Sequence, residues 1–147
     1  MLDDIVEFEF EGKRIRAREI LTGKIGCRGN LGEGEYMAGY VRQLRRNSNK
    51  VEDKQEFNDG EILVSQMTDP SMMEEIGKAS AIVTEQGGLI CHAASVAREL
   101  KMFCMMNVEG LLEKTYNGQR IYLQYRSVNG DGVKKYEGVI LADEIPS

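Results

Sequence analysis

The chain has 147 residues, which suits one domain over residues 1–147 and is long enough to bury a hydrophobic core. Its 24 acidic and 19 basic side chains give a net charge of −5, and this acidic balance disfavours a nucleic-acid-binding surface. Cys27, Cys91 and Cys104 are odd in number, which excludes a full internal disulfide framework, and they are too widely spaced for a zinc site. The sequence also has no apolar run of membrane length, so we expect a cytoplasmic protein with no metal site and no membrane segment.

Residues 1–20 have the pattern of a β-hairpin added to the end of a sheet. Apolar residues at positions 6, 8 and 10 alternate with acidic ones, and Glu11-Gly12 supplies a turn. The returning segment alternates apolar residues with arginines, so the outward faces of the two strands carry opposite charges and favour one register. An interaction arm that binds a partner is the alternative interpretation.

Glycines are frequent between Thr22 and Gly39, at an irregular spacing that fits no nucleotide-binding loop. We interpret them as tight turns between short strands, with the next strand beginning at Tyr40-Val41. A local basic patch follows, formed by Arg42, Arg45, Arg46 and Lys50. We interpret it as part of a solvated loop around residues 47–49, and a docking surface for an acidic partner is the less favoured alternative. The polar segment 47–59 is predicted to end in a turn at residues 58–60.

Residues 62–84 predict a strand, a helix and a second strand. An apolar strand over residues 62–64 leads to Asp69, which can cap a helix whose first residue is Pro70 and which ends at Gly77. The predicted buried side of this helix is formed by Met72, Met73 and Ile76. A buried strand over residues 81–84 follows, so this order predicts an α/β unit with a parallel crossover.

The only histidine of the chain, His92, lies where the second of these strands gives way to a helix. Gly87 and Gly88 follow the strand, and from Ala93 onward apolar residues recur at helical spacing. The predicted inner face consists of Ala93, Val96, Ala97 and Leu100, and the outer face of Ser95, Arg98, Glu99 and Lys101. This pattern places His92 at or just before the first helical turn.

The start of a helix suits an anion, and phosphate is the anion we expect here. The first backbone N–H groups have no partner within the helix and carry the positive end of its dipole, which also disfavours a charged imidazole. A neutral His92 is able to accept and release a phosphoryl group through a covalent intermediate. The residues expected to bind the phosphate are Thr84, Gly87, Gly88, Ala93 and Ala94.

The roles of three residues in this segment remain open. A solitary histidine is more often a hydrogen-bonded structural residue, and position alone favours that interpretation. Thr84 could hydrogen-bond either the imidazole or a phosphoryl oxygen. For Cys91, we prefer the role of a small packing residue over that of a nucleophile.

The remaining residues predict a mixed sheet with helices packed on it. An apolar strand over residues 102–108 has methionines that we expect to fill the core, and a short helix over residues 110–116 follows. A strand at residues 121–123, a turn at Asn129-Gly130-Asp131-Gly132 and a last strand over residues 136–141 complete the chain. These elements place the chain in the α/β class.

The string Thr84-Glu85-x-Gly87-Gly88-x-x-Cys91-His92-Ala93-Ala94-x-Val96-Ala97-Arg98-Glu99-Leu100 resembles the phosphohistidine segment of the mobile, swivelling domain of phosphoenolpyruvate-utilising enzymes. The segment from Gly60 to Pro70 is also similar to that family, most closely to phosphoenolpyruvate synthase and pyruvate, phosphate dikinase. The resemblance is best over residues 60–124. It implies a compact swivelling β/β/α domain, in which His92 is transiently phosphorylated.

The resemblance also implies partners. The family's complete enzymes contain nucleotide-binding domains and domains that bind phosphoenolpyruvate or another acceptor, and a chain of this length has no room for them. We therefore expect no cofactor on this domain, with ATP and magnesium on partner domains or subunits. The phosphoryl donor and the final acceptor remain open at this stage.

Three positions depart from the family pattern. Ile90 occupies a position where synthases and dikinases usually have threonine, so regulation by phosphorylation of that threonine is not expected. The segment Lys101-Met102-Phe103-Cys104-Met105 replaces the usual Gly-Ile-Pro-Ala-Val. Residues 1–20 resemble no part of the family that we identify. A regulatory or interaction module that keeps the fold without transfer is therefore the alternative function, and a cysteine-dependent enzyme is third.

Overall fold

The computed structural model describes residues 4–45, 56–88, 90–130 and 132–143. The described strands are β1 (Ile5–Phe10), β2 (Lys13–Cys27), β3 (Tyr36–Leu44), β4 (Ile62–Ser65), β5 (Ala81–Thr84), β6 (Phe103–Met106), β7 (Arg120–Gly130) and β8 (Val133–Asp143). The described helices are α1 (Met73–Lys78), α2 (His92–Leu100) and α3 (Leu111–Lys114), and a 3₁₀ turn, Pro70–Met72, precedes α1. None of these helices has the length and apolar character needed to span a membrane. The predicted α/β class with a mixed sheet is confirmed.

The eight described strands form one mixed sheet that closes on itself. Their order is β1-β2-β6-β5-β4-β3-β7-β8, and β8 also pairs with β2. The central strands β3, β4, β5 and β6 are parallel neighbours of one another, whereas β7, β8 and β2 pair antiparallel. The predicted parallel crossover is therefore confirmed, because α1 lies between β4 and β5 in the chain and α2 between β5 and β6.

Three apolar clusters divide the domain into layers. The alternation of side chains along a strand places Ile62 and Val64 in the central cluster, between the parallel and antiparallel parts of the sheet, and Leu63 in the cluster under the helices. Cys104 and Met106 of β6 also belong to the cluster under the helices. A third cluster covers the outer face of the antiparallel part. The resulting order of sheet, sheet and helices matches the predicted β/β/α arrangement.

Helix α2 packs on the sheet through small side chains. Ala93, Ala94 and Ala97 are buried against the cluster that contains Ile82 and Met106. Small residues allow the helix backbone to approach the strands closely. The predicted inner face is wrong at Leu100, which is 48% exposed because it lies at the last turn of the helix.

The preceding helix differs from its prediction in two details. Asp69 does accept a hydrogen bond from the backbone amide of Ser71, but its 3₁₀ turn comes before α1, which continues through Lys78 rather than ending at Gly77. Met72 and Ile76 are buried as predicted. Met73 is exposed instead, because the change from a 3₁₀ turn to an α-helix at this residue alters the spacing of the buried face.

The N-terminal hairpin is confirmed. Strand β1 pairs with β2 in the register that sets Glu7 opposite Arg16, and Glu7 receives hydrogen bonds from Arg14 at 3.0 Å and Arg16 at 3.3 Å. Phe8 stacks on the ring of Tyr36, with a centroid distance of 3.8 Å. Strand β1 is thus a terminal addition to the sheet, at the end of the strand order next to β2.

The glycine-rich segment forms the predicted tight turns at only some of its glycines. Strand β2 continues through Gly23 and Gly26, and β3 begins at Tyr36 and contains Gly39. These glycines are required by close packing rather than by turns. A Cβ atom on Gly23 would lie 2.6 Å from Val108 Cγ2, and one on Gly39 would lie 2.9 Å from Ile62 Cδ1. Gly29 and Gly34 do occupy turns, with positive φ angles.

The predicted basic patch is wrong at Arg42. Its guanidinium is largely buried in β3 and forms an ion pair with Glu61, with a distance of 3.0 Å between Nη2 and Oε2. Arg45 donates to the side chain of Gln43. Arg46, Lys50 and the predicted loop at residues 47–49 lie outside the described residues, as does Asp131 of the predicted turn.

We predict that acid weakens the fold through Glu61. Burial alone would raise the pKa of Glu61, but hydrogen bonds from Arg42 and from the amide of Asn58 outweigh it and hold the pKa below its usual value. The stabilisation is therefore complete above the ordinary glutamate pKa and is lost as the pH falls through the lowered one. Urea unfolding between about pH 7 and about pH 3 should show that Glu61→Gln costs roughly 3 kcal/mol at neutral pH and less in acid. Parallel pH profiles for the two proteins would contradict this assignment.

Candidate functional site

The site is built where two parallel strands end at the same edge of the sheet. Ser65 of β4 and Thr84 of β5 are paired at this edge, and the loops after them lie side by side. Backbone amides of Glu85 and Gln86 donate to the carbonyls of Ser65 and Gln66 at 3.1 and 3.0 Å, which fixes one loop against the other. The second loop leads to α2, whose first residue is His92. The predicted position of His92 is confirmed.

The imidazole of His92 has a hydroxyl partner from the other loop. Thr68 Oγ1 lies 2.9 Å from His92 Nδ1, and Thr68 is only 7% exposed. Sequence reasoning missed this residue. A usable signal was present, because Thr68 follows β4 by three residues and the predicted parallel pairing of β4 with β5 brings the ends of both strands together.

Thr84 supports the loop rather than the ring. It is fully buried, and its hydroxyl donates to the backbone carbonyl of Gln86 at 2.6 Å. The proton of this hydroxyl is therefore used to shape the turn after β5. Thr68 is the threonine that holds the imidazole.

A cavity of about 300 Å³ opens beside the ring. It is lined by Met67, Thr68, Thr84, Gln86, Gly87, Cys91, His92 and Ala93. The cavity thus brings together His92 and three of the residues predicted to bind phosphate.

The other two predicted residues, Gly88 and Ala94, are not among the residues that line the cavity. Ala94 is fully buried, and its amide donates to Cys91 Sγ at 3.4 Å. The carbonyl of Gly88 accepts a hydrogen bond from the amide of Cys91 at 3.0 Å, which closes the turn before the helix. Both residues shape the start of α2 without lining the cavity.

Gly87 is required by its backbone and by its neighbours. Its φ angle of 137° is one that residues with a side chain rarely adopt. A Cβ atom at this position would also lie 3.1 Å from Cys91 Sγ. Glycine therefore allows the loop to pass closely over the cap of α2.

Cys91 caps α2 and packs against the sheet. Its sulfur accepts the Ala94 amide and lies 3.4 Å from the sulfur of Met106. These contacts agree with the packing role preferred for Cys91. Farther inside, burial raises the pKa of the Cys104 thiol to about 12, with Cys91 and Cys27 as smaller causes, so Cys104 stays protonated at neutral pH.

The His92 cavity differs from a larger cavity of the domain in the charged residues that line it. A groove of about 610 Å³ is lined by residues that include Glu109, Glu113 and Lys114, and its two carboxylates repel an anion. The residues that line the His92 cavity include no Asp, Glu, Lys or Arg, and two of them, His92 and Ala93, are the first residues of α2. Within the described part of the chain, no group of three His, Cys, Asp or Glu side chains is arranged to hold a metal ion.

Comparison with known proteins identifies relatives of this chain. Residues 57–127 match the family model described as PEP-utilising enzyme, mobile domain. The chain is 31% identical over 134 residues to a probable phosphoenolpyruvate synthase of Methanothermobacter thermautotrophicus, covering 91% of this chain and 18% of that protein. It is 36% identical over 116 residues to the phosphoenolpyruvate synthase of Helicobacter pylori, covering 78% of this chain and 13% of that protein.

A third relative extends the match toward the N-terminus. The chain is 31% identical over 139 residues to the phosphoenolpyruvate synthase of Neisseria meningitidis serogroup B, covering 93% of this chain and 17% of that protein. Such coverage reaches into the hairpin of β1 and β2, so part of the segment 1–20 has a counterpart in this relative. The chain spans less than one fifth of the length of these three proteins.

Proposed function

This chain belongs, through residues 57–127, to the family of PEP-utilising enzyme mobile domains, and from that membership we propose that it carries phosphoryl groups on His92. In this proposal the chain is the phosphohistidine domain of a phosphotransferase of the phosphoenolpyruvate synthase type. The observation that supports it most is the surroundings of the His92 imidazole. The ring borders a cavity at the first turn of α2, the residues lining that cavity include no Asp, Glu, Lys or Arg, and Thr68 Oγ1 contacts Nδ1.

The contact with Thr68 supports the choice of Nε2 as the reacting atom. If the Thr68 oxygen accepts the proton on Nδ1, the lone pair of the neutral ring lies on Nε2. The proposal adopts this tautomer, which makes Nε2 the nucleophile. The hydroxyl then fixes the orientation of the ring without competing for the reacting nitrogen.

The transfer step balances without an added proton. Nε2 attacks the phosphorus of the donor, an N–P bond forms, and the bond from phosphorus to the leaving oxygen breaks with its electron pair going to that oxygen. The proton on Nδ1 stays in place, so the phosphorylated ring is positively charged and its hydrogen bond to Thr68 becomes stronger. Attack by an acceptor on phosphorus then reverses the sequence and restores the neutral ring.

The start of α2 favours the phosphorylated form. The amides of His92 and Ala93 are the first two of the helix, so they have no carbonyl partner within it. They lie at the positive end of the helix dipole, which favours a negatively charged phosphoryl group. The fixed position of α2 on the sheet holds these donors ready before a phosphoryl group arrives. Thr84 and Gly87 contribute by shaping the loop that covers the cap.

The donor and the acceptor belong to other parts of the system. Relatives named phosphoenolpyruvate synthase are several times longer than this chain. We place ATP and magnesium on a nucleotide-binding partner, and phosphoenolpyruvate or another acceptor on a second partner, each a domain or a subunit. The chain itself binds only the phosphoryl group that passes between them.

The test is direct detection of the intermediate. The protein is purified at alkaline pH from cells that naturally produce it, and its intact mass is measured before and after acid treatment. We expect an acid-labile mass increase of one phosphoryl group, and because the sequence has a single histidine, a phosphohistidine can only be at position 92. Absence of this species in growing cells would favour the regulatory or interaction module instead.

A further inference from the structure

Besides His92, four residues that line its cavity have side chains able to donate a hydrogen bond, namely Thr68, Thr84, Gln86 and Cys91. The Thr84 hydroxyl donates to the backbone carbonyl of Gln86, and the Cys91 thiol donates to Met106 Sδ at 3.4 Å. Thr68 contacts Nδ1, which lies across the imidazole from Nε2. Within the described part of the chain, the side-chain amide of Gln86 is therefore the one donor of the four that neither shapes the loops nor holds the ring.

The backbone of Gln86 is fixed on both sides. Its amide donates to the carbonyl of Gln66 at 3.0 Å, and its carbonyl accepts the Thr84 hydroxyl at 2.6 Å. The residue is exposed, so rotation about its side-chain torsions can bring the carboxamide to a ligand in the cavity. The fold thus holds one end of a long donor side chain beside the reacting ring.

A phosphoryl group in this cavity needs hydrogen-bond donors. It brings between one and two negative charges and three acceptor oxygens, whereas the lining residues include no Lys or Arg. The first amides of α2 supply some of the donors. The carboxamide of Gln86 carries two further N–H groups, and hydrogen bonds to a charged acceptor are the stronger kind.

From these observations, and on the basis of the proposed function, we infer that Gln86 is a phosphoryl-binding residue, whose side-chain amide donates to an oxygen of the group held on Nε2 of His92. This bond exists only while the phosphoryl group is present. Gln86 therefore acts on the formation and the charge state of phosphohistidine, and it contributes nothing to the stability of the empty domain.

The experiment uses potassium phosphoramidate, a small donor that needs no docking to a partner. Formation of phosphohistidine on the full chain is followed by intact mass, and the pKa of the bound phosphoryl group is read from the pH dependence of its ³¹P NMR shift. Gln86→Leu removes the donors, Gln86→Lys keeps a donor and adds a positive charge, and Gln86→Glu adds a negative one. The matched control is Gln66→Glu, the same change at an exposed residue of the neighbouring loop that does not line the cavity.

We expect Gln86→Leu to slow formation by about 10-fold and to raise the pKa of the phosphoryl group by about half a unit or more, because the lost bond favours the more highly charged form. Gln86→Lys should keep at least the wild-type rate and lower this pKa. Gln86→Glu should react more slowly than Gln86→Leu, whereas Gln66→Glu should stay within about 2-fold of the wild type, since an exposed charge without contact is screened by water. All variants should keep the wild-type thermal midpoint.

A Gln86→Leu protein with the wild-type rate and the wild-type phosphoryl pKa would overturn the inference. Equal effects of Gln86→Glu and Gln66→Glu would also overturn it, because a charge would then act without a contact, and so would a wild-type ring that does not react with phosphoramidate. Failure of the proposed function has a different signature. The variants would then behave as expected with phosphoramidate, but the protein purified from its own cells would carry no phosphohistidine.

Discussion

A His92→Ala variant is expected to form no phosphohistidine, and Thr68→Val is expected to form it roughly 10- to 100-fold more slowly than the wild type. Valine has the shape of threonine without its hydroxyl. The substitution therefore removes the contact to Nδ1, 2.9 Å long, while the packing around the ring stays filled. The loss is large because the bond strengthens as the ring becomes positively charged, and bonds to charged groups contribute about 1.5–3 kcal/mol.

The rates are to be measured with phosphoramidate as the donor, so that docking to a partner does not enter. Thr68→Ser keeps the hydroxyl and should recover most of the rate, which a purely structural role of Thr68 would not require. The thermal midpoints of all variants serve as the control for folding. If Thr68→Val reacts as fast as the wild type, the hydroxyl does not position the nucleophile, and the tautomer assigned to His92 loses its support.

Gly23→Ala is expected to destabilise the fold by about 3 kcal/mol, or roughly 10 °C in the thermal midpoint. The added Cβ would lie 2.7 Å from the backbone carbonyl oxygen of Met106 as well as 2.6 Å from Val108 Cγ2. A backbone oxygen cannot move away without disturbing the pairing of β2 with β6. The clash therefore acts on the strand junction at which the sheet closes.

Gly77→Ala is the matched control for this prediction. A Cβ on Gly77 meets no atom within 4 Å, and the residue lies in α1, where alanine is the better helix former. We expect this variant to gain up to about 1 kcal/mol. Thermal unfolding followed by circular dichroism separates the two cases, and a shift of both variants in the same direction would contradict the packing explanation for Gly23.

Local patterns predicted the elements that carry the site. Alternation fixed the hairpin of β1 and β2, and the change from a short apolar run to helical spacing placed His92 at the first turn of α2. These features depend on residues close in sequence. For the same reason, the predicted cavity residues Thr84, Gly87 and Ala93 fall near His92.

Features set by distant residues were not predicted. Gly23 and Gly39 were interpreted as turns, because a sequence does not show that Val108 or Ile62 occupies the space where a side chain would lie. Arg42 was placed in a solvated patch, although Glu61, nineteen positions later, buries it in an ion pair. The contact of Thr68 with His92 spans 24 positions and depends on the parallel pairing of β4 with β5.

The alanine face of α2 has a consequence for substitutions near the site. Ala93, Ala94 and Ala97 are buried where the helix packs on the strands below it. A larger side chain on this face is therefore expected to push α2 away from the sheet. Such a displacement would move the ring and its amide donors together, away from Thr68 on the neighbouring loop. The domain therefore tolerates substitutions on the outer side of this helix far better than on the inner side. A variant such as Ala94→Val would increase the distance between His92 and Thr68 without changing any polar side chain.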